Sequence, residues 1–313
     1  MRFRPALALL LLAMLSQSGA APTFSHQLRW KPVPLDRSQT GRKRVGALTY
    51  LGGWALESSD PRFGGISGMT VQGRDVLAIS DQGSLIRFRV PQGAVSISEL
   101  PAGPGKRARK ATRDAESMVV AGGRAWIGFE RVNQIWSYAL PNFRPLSSAS
   151  PQPMRSWETN TGAEGIVRLR SGRFLVFSEG KPPGRPTSEV LLFDGDPSRP
   201  STRVTRLFCR VERGYSVSDA ALLPDGRVLM LQRRYSPLEG VSVKLVRATL
   251  PPWKTDAVIE GQVIADFRAP LTVDNFEALA VTQESGRPIV WIASDDNFNP
   301  LQRTLLMKFA LDR

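Results

Sequence analysis

Carboxylates return at regular intervals along this sequence, and each return comes as a pair of short motifs. The first is a pentapeptide centred on Ser67, Glu116, Glu164, Asp219 or Glu277, at steps of 49, 48, 55 and 58 residues. The second follows about a dozen residues later, where an apolar run ends in Asp81, Glu130, Glu179, Gln232 or Asp295, with Asp296 beside the last. Carboxylates gathered within a few ångströms repel one another unless a cation neutralises them or some keep their protons. Calcium suits such a set, since it takes roughly six to eight oxygen ligands in loose geometry. A cation held there would polarise an ester oxygen and lower the pKa of an attacking water.

The expected assignment makes Glu116, Glu164, Asp219 and Glu277 the inner, catalytic carboxylates. Asp81, Glu130, Glu179, Asp295 and Asp296 are expected to hold a metal ion, Ca2+, directly or as supporting groups. Arg131, Arg233 and Arg303 lie near these acids in sequence and are candidates to bind an anion; they could equally be ion-pair partners of the acids. An acid at a strand end also caps turns by accepting backbone N–H bonds, so a structural role stands beside the chemical one.

Other chemistries are poorly supplied. His26 is the sole histidine and lies outside the repeats, which argues against a Ser-His-Asp triad or a histidine zinc site. The string Gly65-Ile66-Ser67-Gly68 lacks the closing glycine of a nucleophile elbow. Gly103-Pro104-Gly105-Lys106 is followed by Arg107, not by Ser or Thr, and so is no phosphate-binding P-loop.

A period near fifty, filled with short apolar runs and glycine turns, is the signature of a β-propeller. Each unit offers an inner strand at the first motif, as at 67–71, and a second strand ending at the second motif, as at 76–80. Glycine turns such as Gln72-Gly73-Arg74 and Pro224-Asp225-Gly226 join the two. Third strands are expected at 85–90, 135–140, 190–193, 244–250 and 304–311, and fourth strands at 94–100, 154–158, 203–211 and 258–267. The last unit lacks a fourth strand of its own. The run 45–56, just ahead of the first unit, would supply it and close the ring. The motifs count five blades, or six if the 24–56 region gives more than one strand. The fold class is therefore all-β, and equivalent positions of all blades converge on one axis.

Arg2 and Arg4 precede an apolar run over 6–15 and the small residues Ser18-Gly19-Ala20-Ala21, which reads as a signal peptide over 1–21. An N-terminal extension at 22–44 and a propeller domain at 45–313 follow. The expected location is periplasmic or secreted, with no transmembrane segment once the signal is removed. Cys209 is the only cysteine, so no intramolecular disulfide forms, and a packed thiol is its expected state.

The chain has 42 basic and 28 acidic residues, a formal net charge of +14. Basic residues cluster at 37–44 and at Lys106, Arg107, Arg109, Lys110 and Arg113. These are solvated loops or attractors of anionic ligands; nucleic acid is not expected, because aromatics do not interleave the basic runs.

Together the motifs resemble the exported phytase-like family, also called the "esterase-like activity of phytase" family. The matching strings are Leu51-Gly52-Gly53-Trp54, Phe63-Gly64-Gly65-Ile66-Ser67-Gly68 and Ile79-Ser80-Asp81-Gln82-Gly83. They continue with Ala163-Glu164-Gly165, Ser218-Asp219-Ala220, Asp274-Asn275-Phe276-Glu277 and Ser294-Asp295-Asp296-Asn297-Phe298. The family usually carries arginine where this chain has Gln82. The resemblance implies an exported β-propeller. The reading that follows is a calcium-dependent hydrolase of phosphate or carboxylic esters, acting as a monomer on an anionic small-molecule ester. The alternative is a non-catalytic propeller that binds an anionic ligand or an envelope partner.

Overall fold

The computed structural model describes residues 26–91, 93–105, 110–180 and 187–312. The signal segment lies outside them, as do Lys106, Arg107 and Arg109 of the second basic cluster. Apolar runs of five to nine residues, bounded by turns, form antiparallel meanders throughout. Blade 1 is Ile66–Gln72, Asp75–Ser80, Ser84–Arg89 and Ala94–Glu99. Blade 2 is Ala115–Ala121, Arg124–Phe129, Gln134–Ala139 and Arg144–Ala149. Blade 3 is Ala163–Arg168, Phe174–Ser178, Thr187–Phe193 and Val204–Arg210. Blade 4 is Ser216–Leu222, Val228–Ser236, Gly240–Ala248 and Gly261–Phe267. Blade 5 is Phe276–Glu284, Arg287–Ser294, Thr304–Leu311 and, from the other end of the chain, Leu48–Ser58.

That last pairing closes the ring. Thr304 to Leu311 run antiparallel to Leu56 back to Leu48. A further strand, His26–Pro32, pairs with Leu48–Ser58 on one side and with Ala94–Glu99 on the other. It joins the outer edges of blades 5 and 1 into one sheet, so neither edge is left open at this seam. The innermost strands pack in sequence around the axis, and the fifth packs against the first.

Five buried apolar clusters lie among the described residues, one between each neighbouring pair of blades. The largest joins blades 4 and 5 through Phe267, Phe276 and Phe309, whose rings meet at 5.5 and 6.0 Å. Cys209 is buried in the cluster between blades 3 and 4, and burial pushes its thiol up to about 12.

Two expected strands fall elsewhere. The fourth strand of blade 2 is Arg144–Ala149, and the run 154–158, expected as that strand, begins inside a 3-10 turn, Gln152–Ser156, with Met154 buried. Pro145 is tolerated there because the strand is the outer edge of its blade. The run at 258–267 divides at Glu260: Val258–Ile259 crosses back to pair in parallel with blade 3, and only Gly261–Phe267 completes blade 4. No helix among the described residues is long and apolar enough to cross a membrane.

Candidate functional site

Each inner strand begins with a β-bulge, where two residues oppose one on the neighbouring strand. The extra residue is Ser67, Glu116, Glu164, Ser218 and Glu277 in blades 1 to 5. A bulge re-aims its side chain, and here it does so at the same end of every blade. In four blades the residue just past the end of the second strand stands beside it: Asp81, Glu130, Glu179 and Asp295. Its amide bonds the residue two before the bulge in three blades: Asp81 to Gly65, Glu130 to Asp114 and Asp295 to Asn275.

This register corrects the expected alignment in blade 4. Ser218, not Asp219, is the bulge residue, and Arg233, not Gln232, stands opposite Ser216, within a second strand that runs on to Ser236. Asp219 sits one place further along and faces the next blade. Its carboxylate accepts the amides of Ala220 and Leu279, both at 2.7 Å. Asp219 therefore ties blade 4 to blade 5 and stands apart from the other inner carboxylates. Gln232 is buried and donates to the Arg210 carbonyl.

The remaining acids do converge. Asp114, Glu116 and Glu130 form one group, and Glu130, Glu164 and Glu179 form a second, each able to place one oxygen per residue within 4.8 Å of the others. Glu130 belongs to both. Burial, then the neighbouring charges of Glu164, Glu277 and Asp114, holds the Glu116 carboxyl well above its usual range. Burial and the charges of Glu179, Glu130 and Glu277 do the same for Glu164. Glu130, less enclosed, is pushed to about 7 by burial and by Asp114 and Glu179. Across the ring, burial and Glu277 raise Asp295 to about 9, with Asp81 adding to the repulsion. Glu277 is raised by burial and eased by Arg233, and Asn275 donates to it at 3.0 Å.

Asp296, expected with the metal-holding acids, has its carboxylate committed to the chain. It accepts from the amides of Gly65 and Phe298 and from the Thr304 hydroxyl, at 2.9, 3.1 and 2.7 Å. This approach requires glycine opposite, since a Cβ on Gly64 would stand 2.6 Å from Asp296 Oδ1. Asp296 thus fixes the loop that carries Asp295.

The three arginines separate. Arg131 pairs with Asp114 at 2.6 Å on the rim. Arg303 lies outside the ring, on Asp274 at 3.1 Å and the Val273 carbonyl. Arg233 alone enters the ring, with Glu277 at 3.2 Å and Glu179 at 3.4 Å. Asp114 was not expected as a member, although it opens the Asp114-Ala115-Glu116 motif; its signal was an acid two residues ahead of the bulge. His26 is remote from all of this, 3.1 Å from Asp60.

The arrangement can therefore hold a hard divalent cation on oxygen at blades 2 and 3. It also keeps the Asp295 carboxyl protonated near neutrality on the blade 5 side, where burial and crowding oppose ionisation.

A family model described as Phytase-like, esterase-like activity of phytase, matches residues 61–298. No curated protein matches the sequence. Among solved structures, the chain is similar to a glutaminyl cyclase of Myxococcus xanthus, at 11% identity over 80% of this chain and 92% of that one, with a TM-score of 0.45. It is similar also to the major Malassezia sympodialis allergen Mala s 1, at 13% identity over 86% and 91% of the two chains, with a TM-score of 0.46. A PQQ-bound aldose sugar dehydrogenase of Streptomyces coelicolor is matched at 13% identity over 93% and 99%, with a TM-score of 0.45.

Proposed function

The chain belongs to the phytase-like, esterase-like activity of phytase family, and from that premise we propose that it is an exported, calcium-dependent hydrolase of phosphate or carboxylic esters. The observation that carries the reading is the pair of carboxylate trios sharing Glu130. Asp114, Glu116, Glu130, Glu164 and Glu179 would hold the cation; it would supply polarisation of an ester oxygen and acidification of a water. Glu130, shared by both trios, would stand beside that water and is suited to take its proton. Asp295, pushed up to about 9, is suited to give one to the leaving oxygen, with Glu277 beside it. Arg131 at the rim, in a chain of net charge +14, favours an anionic small-molecule ester. Export is supported by the residues at 1–21, and the chain is read as a monomer in the periplasm or outside the cell.

The test is turnover of phytate and p-nitrophenyl esters by the purified protein with calcium, with chelator, and as Glu164→Gln. Calcium-dependent turnover lost in the variant is expected. Turnover absent throughout, with calcium bound, would leave a non-catalytic binder of anionic or envelope ligands as the better reading.

A further inference from the structure

The fourth blade interrupts the acidic ring with a base. One place past the residue that pairs just ahead of the bulge, the other blades carry Asp81, Glu130, Glu179 and Asp295, and blade 4 carries Arg233. At the bulge, blades 2, 3 and 5 carry glutamate and blade 4 carries Ser218. Blade 4 therefore brings no carboxylate to either position, only one guanidinium.

That guanidinium reaches both neighbours. Arg233 Nη2 lies 3.4 Å from Glu179 Oε1 on blade 3 and 3.2 Å from Glu277 Oε1 on blade 5. Ser216 donates to the same Glu179 oxygen at 2.7 Å. Glu179 is also one of the trio with Glu130 and Glu164. One carboxylate is thus shared between a fixed positive charge and a potential metal position. Two cations on one carboxylate repel, and the repulsion is strong in a partly dry channel. Arginine does not lose its charge at any ordinary pH, so this competitor is permanent.

We propose that Arg233 is a tethered counter-cation that sets how tightly the channel holds a metal ion at Glu179. From blade 4 it occupies Glu179 and Glu277, and so weakens the trio of Glu130, Glu164 and Glu179 as a cation site. The inference rests on the cation-binding part of the proposed function and not on turnover.

Calcium titration by calorimetry, with metal content measured after gel filtration, tests it on the parent, Arg233→Gln and Arg233→Lys. Arg233→Gln is expected to bind calcium at least tenfold more tightly. Arg233→Lys, which keeps the charge, is expected to stay within threefold of the parent. Folding of Arg233→Gln only when calcium is present would also support the proposal, since the ion then replaces the guanidinium. Affinity within threefold would overturn it. If Arg233→Gln does not fold even with calcium, the double variant Arg233→Gln/Glu277→Gln removes one charge of each sign and still frees Glu179. A gain of calcium affinity in that protein sustains the proposal, and no gain sinks it. A parent that neither binds calcium nor hydrolyses esters refutes the proposed function; calcium binding acquired by Arg233→Gln would still uphold this inference.

Discussion

At the scale of single residues, the site divides acids that face the channel from acids that hold the backbone. Glu130 lies in both carboxylate trios, so Glu130→Gln is expected to weaken calcium binding by about 10–100-fold and to lower turnover in step, as calorimetry and kinetics would read. Asp219→Asn should behave differently. Its amide would turn a donor toward the N–H of Ala220 or Leu279, costing about 1–3 kcal/mol of stability with calcium affinity unchanged. Equal losses of calcium affinity in both variants would contradict this division. Cys209 should resist thiol reagents until the protein unfolds, since it is wholly buried with its proton held up to about 12. The sequence showed Glu116, Glu164 and Glu277 in equivalent places because each sits at a bulge flanked by small or apolar residues. It misled in blade 4, where Ser218 and Asp219 are adjacent and only the pairing register says which one is the extra residue. The same one-residue ambiguity put Gln232 in the ring position of Arg233, which the sequence offered only as an anion-binding candidate. A side chain's direction in a strand reverses with each step, and periodicity near fifty cannot resolve a single step.

At the scale of elements, strands were legible wherever apolar alternation met a glycine turn, and illegible at the blade edges. The outer strand Arg144–Ala149 has mostly exposed side chains and a proline, so it leaves no apolar pattern. The strand His26–Pro32 was visible as a short run, but its two partners lie far away in sequence and could not be read from it. Leu28, buried between those partners, anchors it. Leu28→Ala is expected to lower stability by about 2–5 kcal/mol, measured by denaturant unfolding, and a loss well under 1 kcal/mol would mean the strand is dispensable. The acidic strand ends impose a pH dependence as well. Glu130 and Asp295 hold protons to about 7 and about 9 in the folded chain, against ordinary values of 4.5 and 3.8. Their folded values are raised, so the native state carries the extra protons within that window. Stability is then greatest at the acid end and falls as pH rises toward 9. The melting temperature of chelated protein is expected to drop between pH 5 and pH 9, and calcium is expected to flatten the drop. A chelated protein that gains stability over that range would show that these carboxyls ionise freely.

At the scale of the whole molecule, the ring is sealed by strands from opposite ends of the chain, Leu48–Ser58 and Thr304–Leu311. A chain ending at residue 303 lacks the inner partner of that seam, and it is expected to bind no calcium and to associate through its open edges, as sedimentation would show. The acids of both carboxylate trios come from blades 2 and 3, and Arg233 reaches Glu179 and, on blade 5, Glu277 from blade 4. Because the seam needs the final strand, its contacts form only after the last residues of that strand have been synthesised. A growing chain therefore has no closed ring until that strand is in place. If calcium binds as proposed, bound metal would serve as a record that the whole ring has closed.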